Sequence, residues 1–135
     1  MTVRCLIIDD SRRFQDAARG VLERQGMTVV GVASTGAEAL EQAAELRPDV
    51  TLVDINLGDE SGFDVAGQLS RRGDVAASSM ILISADAELD YADLIAASPV
   101  AGFLAKSELS ADAIRDLLRP HDGDPVDPFS APQAR

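Results

Sequence analysis

Five short apolar runs, four of them carrying β-branched residues, alternate along this chain with segments of helical periodicity. That alternation is the strongest constraint on its fold. The runs are Val3 to Ile8 (V-R-C-L-I-I), Met27 to Ala33, Asp49 to Asp54, Ser79 to Ser84 and Ala101 to Lys106. Between the first two, Phe14, Ala17, Ala18, Val21 and Leu22 recur on one helical face, and Gly26 stands where a helix stops. Thr35 followed by Glu38 is a capping-box signature, and Pro48 closes that second helix near Leu46-Arg47. Residues 56–62 (N-L-G-D-E-S-G) read as a polar loop. A third helix is predicted over Phe63 to Arg72, a weaker fourth over Glu88 to Ala97, and a fifth after Ser110.

Strands and helices in strict alternation imply right-handed βαβ units and a parallel sheet covered on both faces. Near-continuous apolar strands are what such double burial requires. The predicted fold is therefore α/β, a (βα)5 doubly wound five-stranded parallel sheet of flavodoxin-like order 2-1-3-4-5. It occupies residues 1–119. Residues 120–135 hold four of the six prolines and little apolar periodicity, and read as a disordered tail.

Composition removes several function classes. No apolar run reaches the roughly 18 residues of a membrane span, and the start lacks a signal-peptide layout, so a cytoplasmic location is expected. One cysteine, Cys5, excludes an internal disulfide and a Cys-rich zinc site. A net charge of −11 opposes binding to DNA phosphates.

In open α/β sheets, ligands bind outside the carboxyl ends of the strands. The first strand delivers Asp9 and Asp10 there, and the third delivers Asp54 with Asn56 just beyond. The fourth delivers Ser84, and the fifth delivers Lys106, the single lysine of the chain. Crowded carboxylates resist ionisation unless a cation joins them. Mg²⁺, which takes hard oxygen ligands, is the natural partner. A carboxylate is also a nucleophile toward phosphorus, and an ammonium neutralises phosphoryl oxygens.

These pieces, L-I-I-D-D-S, L-V-D-I-N-L-G-D-E-S-G, I-L-I-S-A and G-F-L-A-K-S, resemble the receiver domains of two-component response regulators. The resemblance implies that Asp54 is the phosphoacceptor. It implies that Asp9, Asp10, Asp54 and the backbone carbonyl of Asn56 hold Mg²⁺. Ser84 matches the switch hydroxyl, Lys106 the phosphate contact, and Phe103 the switch aromatic that turns inward. Asn56, by its side chain, and Asp86 match positions that modulate phosphoryl lifetime. The implied donor is a sensor histidine kinase or a phosphotransfer protein. The implied output is contact with a downstream protein, with no DNA binding by this chain because no helix-turn-helix follows. A phosphorylation-dependent homodimer is also compatible with the family. The expected contact surface comprises the fourth helix, fifth strand and fifth helix, with Tyr91, Leu94 and Val100 as exposed apolar candidates.

Three departures from the family pattern stand out. Gly58 occupies a position often held by proline and is expected to loosen the loop. Ser84 replaces the commoner threonine while keeping the hydroxyl. Ser107 follows the lysine where many receivers have proline, so a cis peptide there lacks support. Two rival functions remain open at this point. One is a small Mg²⁺-dependent phosphohydrolase using Asp54 as nucleophile. It is disfavoured because position 56 carries no acid and no cap insertion is present. The other is a receiver-like module that is not phosphorylated. The expected protein is no enzyme beyond its own phosphorylation and dephosphorylation.

Overall fold

A computed structural model describes residues 2–73, 75–76, 79–85 and 91–118. The elements run β1 (Arg4–Ile8), α1 (Arg12–Arg24), β2 (Thr28–Ala33), α2 (Gly36–Leu46) and β3 (Val50–Asp54). They continue with β4 (Asn56–Leu57), β5 (Glu60–Ser61), α3 (Gly62–Arg72), β6 (Met80–Ser84), α4 (Ala92–Ala96), β7 (Gly102–Ala105) and α5 (Ala111–Leu118). Five strands form one parallel sheet in the order β2-β1-β3-β6-β7. Counted among the five main strands, this is the expected order 2-1-3-4-5. Asp86, the expected start of the fourth helix at 88–90 and the expected tail at 120–135 lie outside the described residues.

Strand alternation sorts the core into two layers. Leu6, Ile8, Val53 and Leu82 face α2 and α3, where they meet Ala39, Ala43, Val65, Ala66 and Leu69. Cys5, Ile7, Val50, Leu52, Ile81 and Ile83 face α1 and α5, where they meet Ala18, Leu22, Ala111 and Ile114. All five residues of β3 and of β6 are buried, as strands covered on both faces must be.

The helix starts follow local side-chain chemistry. Ser11 Oγ accepts from the Phe14 N–H at 3.2 Å. Thr35 Oγ1 accepts from the Glu38 N–H at 3.1 Å, the first half of the expected capping box, while Glu38 Oε1 reaches one residue past the cap and accepts from the Ser34 N–H at 2.8 Å. Ser110 Oγ accepts from the Ala113 N–H at 3.0 Å. Each such cap is worth about 1 kcal/mol.

Three expectations need correction. Residues 56–62 are not a plain polar loop: Asn56 pairs with Ser61 and Leu57 with Glu60 in an antiparallel hairpin, and Leu57 is buried. Gly58 does not loosen it. Gly58 has φ +63° and opens the two-residue Gly58-Asp59 turn, a position that favours glycine and that proline, fixed near −65°, cannot occupy. Finally, Tyr91 and Val100 are half-buried against the α2/α3 layer rather than exposed, because Tyr91 meets the Phe63 ring at 6.3 Å between centroids. Leu94 is exposed, as expected.

Candidate functional site

The strand register builds the site. Ile8 lies opposite Val53 and Asp54 opposite Ile83, so Asp9, Asp54 and Ser84 leave the sheet at neighbouring strand ends. Ser84 lies opposite Ala105, and Lys106 follows as the first residue of a 3-10 turn over Lys106–Glu108. Asp9, Asp54 and Ser84 are buried, while Asp10 is exposed at the mouth.

Asp9 is anchored on both sides of its Cα. Its Oδ1 accepts from the Ser11 N–H at 2.8 Å, and its carbonyl accepts from the Gln15 side-chain amide. Gln15 also donates to Ser34 Oγ at 3.1 Å. Asp54 Oδ1 accepts from the Asn56 N–H at 3.0 Å. Lys106 Nζ joins the two acids, 2.7 Å from Asp9 Oδ2 and 3.2 Å from Asp54 Oδ2. The same ammonium lies over the Phe14 ring, 4.4 Å from its centroid.

Burial pushes the Asp54 carboxyl up from its ordinary 3.8 to about 6. The Asn56 N–H opposes this rise, the Asp9 charge adds to it, and Lys106 works against it. Burial alone would lower the Lys106 ammonium, but its hydrogen bond to Asp9 and the Asp54 and Asp9 charges outweigh that and raise it. Lys106 is therefore a fixed positive charge, and Asp54 is a carboxylate short of cationic partners.

Carboxylate oxygens of Asp9, Asp10 and Asp54 all lie within 4.8 Å of one another. Three hard oxygen donors, two of them buried, suit a divalent cation such as Mg²⁺. The hairpin turns a backbone carbonyl the same way. The Gly62 N–H donates to the Ile55 carbonyl at 2.9 Å. Antiparallel pairing alternates, so Asn56, paired with Ser61, turns its own N–H and C=O away from the partner strand. Its N–H reaches Asp54, so its carbonyl opens on the same side.

A family model described as the response regulator receiver domain matches residues 5–119. The chain belongs to the response regulator receiver domains. The receiver is 34% identical over 121 residues to the transcriptional regulatory protein YvfU of Bacillus subtilis, covering 87% of this chain and 60% of that protein. Across the curated relatives it matches, the receiver spans from about a fifth to three fifths of their length. Among solved structures, the signal receiver domain of a modulated diguanylate cyclase from Desulfovibrio desulfuricans shares 30% identity, with a TM-score of 0.72 over 87% of this chain and 91% of that one. A Burkholderia pseudomallei response regulator, solved with a phosphorylated aspartic acid and a calcium ion, shares 25% identity, with a TM-score of 0.73 over 88% of this chain and 68% of that one.

The structure brings Asp9, Asp10, Asp54 and Lys106 of the receiver together, with Asn56 and Ser84 at the adjoining strand ends. Phe103 is half-buried on β7 against the α2/α3 layer. Sequence reading missed Gln15 and Glu60 as structural partners of this rim and placed Phe14 only in the helix core. A two-residue Gly-Asp segment between short runs is a hairpin signal and foreshadowed β4–β5. Nothing local marked Gln15.

Proposed function

We propose that this receiver is a phospho-accepting switch in which Asp54 takes a phosphoryl group from a phosphohistidine donor. The observation that carries the reading is Asp54 itself: a nearly buried carboxylate, 3.2 Å from the chain's single lysine and inside a cluster of three acids at the strand ends. An Asp54 oxygen attacks phosphorus, the P–N bond breaks, and the histidine nitrogen leaves with the bond's electron pair and takes up a proton. Lys106 is the fixed cation that neutralises a phosphoryl oxygen. When bound, Mg²⁺ supplies the remaining positive charge; Asp9, Asp10, Asp54 and the Asn56 carbonyl are the residues that would hold it.

The switch follows from what lies beside Asp54. Transferring the phosphoryl group to Asp54 gives Lys106 a new anionic partner. Ser84 supplies a hydroxyl for a phosphoryl oxygen at the next strand, and Phe103 on β7 follows it inward. This biases the α4–β7–α5 surface toward a protein partner. The phosphorylated aspartic acid and cation in the Burkholderia pseudomallei regulator support this reading by likeness. A donor kinase or phosphotransfer protein and a separate downstream partner complete it.

The test is treatment with acetyl phosphate and Mg²⁺, followed by peptide mapping. A phosphoryl adduct at Asp54, absent in Asp54→Asn, is expected. An adduct elsewhere, or one undiminished in the variant, would refute it.

A further inference from the structure

Glu60 plays no part in the chemistry above, yet its carboxylate is tied to a distant helix. The Gly36 N–H, at the first position of α2, donates to Glu60 Oε2 at 3.0 Å and to Oε1 at 3.2 Å. This N–H is one of the donors a helix start leaves without a backbone partner. Thr35 serves the Glu38 N–H of the same end, and Glu38 holds the Ser34 N–H just before it. Glu60 thus adds a tertiary cap from 24 residues away, placing a negative charge where the helix dipole favours it. Position 36 is shaped for that carboxylate: a Cβ there would lie 2.3 Å from Glu60 Oε1.

Glu60 is also the first residue of β5. Its strand neighbour Ser61 pairs with Asn56, and Glu60 itself pairs with Leu57. The hairpin has only two residue pairs, so it cannot hold its own geometry in water. It is fixed at three points: by the Gly62 N–H on the Ile55 carbonyl, by Leu57 buried in the core, and by Glu60 on α2.

We infer that Glu60 is a positioning residue for the divalent cation: by fastening β5 to the start of α2, it holds the Asn56 carbonyl open toward Asp9 and Asp54. The inference rests on the reading of Asn56 as a metal ligand. Coupling of this kind is reciprocal. Whatever helps the cation bind through Asn56 must be helped by it in return, so cation binding steadies the α2 cap.

The experiment is a Mg²⁺ titration of the ¹⁵N-labelled protein followed by amide NMR, with hydrogen exchange read at Gly36. The wild type should bind with shifts at Asp9, Asp10 and residues 54–57. Glu60→Ala should weaken Mg²⁺ by about fivefold, the equivalent of a lost capping bond. Gly36→Ala, which pushes the carboxylate away, should weaken it similarly. Glu60→Gln, which keeps an acceptor oxygen, should recover part of the loss. In the wild type, Mg²⁺ should slow exchange of the Gly36 amide; in Glu60→Ala it should not. If Glu60→Ala lowers the melting temperature but leaves the Mg²⁺ dissociation constant unchanged, Glu60 is a helix cap alone and the inference is wrong. If the wild type shows no Mg²⁺-dependent shifts at the acidic cluster, the proposed function falls with it.

Discussion

Lys106 and Phe14 stand ring-to-ammonium, 4.4 Å apart, although they come from nearly opposite ends of the folded sequence. The ring sits on α1 and packs against the α1/α5 layer, and the ammonium lies over it. Phe14, Ala17, Val21, Lys106, Ser107 and Leu109 line a groove of about 400 Å³ between α1 and the turn after β7. Phe14 therefore forms part of its wall and part of the lysine's seat.

Removing that ring should slow phosphoryl transfer without removing it. Phe14→Ala deletes the cation–π contact, worth about 0.5–2 kcal/mol, so transfer from acetyl phosphate at saturating Mg²⁺ should slow by roughly twofold to thirtyfold. Phe14→Tyr should stay near the wild type. Equal rates for the alanine variant and the wild type would show that the acids alone position Lys106.

The raised Asp54 carboxyl makes the metal-free protein pH-sensitive in a defined direction. With a folded value of about 6 against 3.8 unfolded, the folded state binds more protons between these values. This contribution to stability is full below the unfolded value and is lost as pH rises through about 6. Asp54→Asn cannot lose it. In chelator, the melting-temperature advantage of Asp54→Asn over the wild type should be larger at about pH 7.5 than at about pH 5. A constant difference would mean that Asp54 titrates at an ordinary carboxylate value.

Asp9 and Asp10 should separate in their effects. Asp9 is buried and holds Lys106 and the Ser11 N–H, whereas Asp10 is exposed. Asp9→Ala leaves part of a buried ion pair without its partner and should lower the melting temperature by several degrees. Asp10→Ala should change stability little while weakening Mg²⁺ binding clearly. Thermal melts with chelator, beside Mg²⁺ titrations, check both.

Thr51 offers a control far from phosphoryl chemistry. Its Oγ1 is buried without a hydrogen-bond partner, between Leu6 and Met80 on the neighbouring strands. Thr51→Val removes that hydroxyl at similar size. It should stabilise the fold by about 1 kcal/mol, a rise of a few degrees, with Mg²⁺ binding unchanged. A lower melting temperature would show that the hydroxyl is satisfied in solution.

Strand and helix periodicity carried the alternation, the sheet covered on both faces and the placement of Asp9, Asp54, Ser84 and Lys106 at strand ends, because each of these is a local pattern, whereas the strand order came from the fold type that such alternation adopts. The β4–β5 hairpin escaped because two-residue strands have no period to detect. Glu60 on Gly36, Gln15 on the Asp9 carbonyl and Phe14 under Lys106 escaped for another reason: each is a contact between elements whose meeting only the folded sheet decides. Tyr91 read as surface because its segment is short, and its burial comes from Phe63 on α3.

The two apolar layers of the core have no residue in common, since every sheet strand sends alternate side chains to opposite faces. Substitutions beneath α1 and α5 therefore leave the packing beneath α2 and α3 almost untouched, and their energies should add. For a lineage of such proteins this is a form of modularity. The packing beneath α1 and α5 can drift while the opposite face keeps its shape, and the sheet between them is the one part that must hold still.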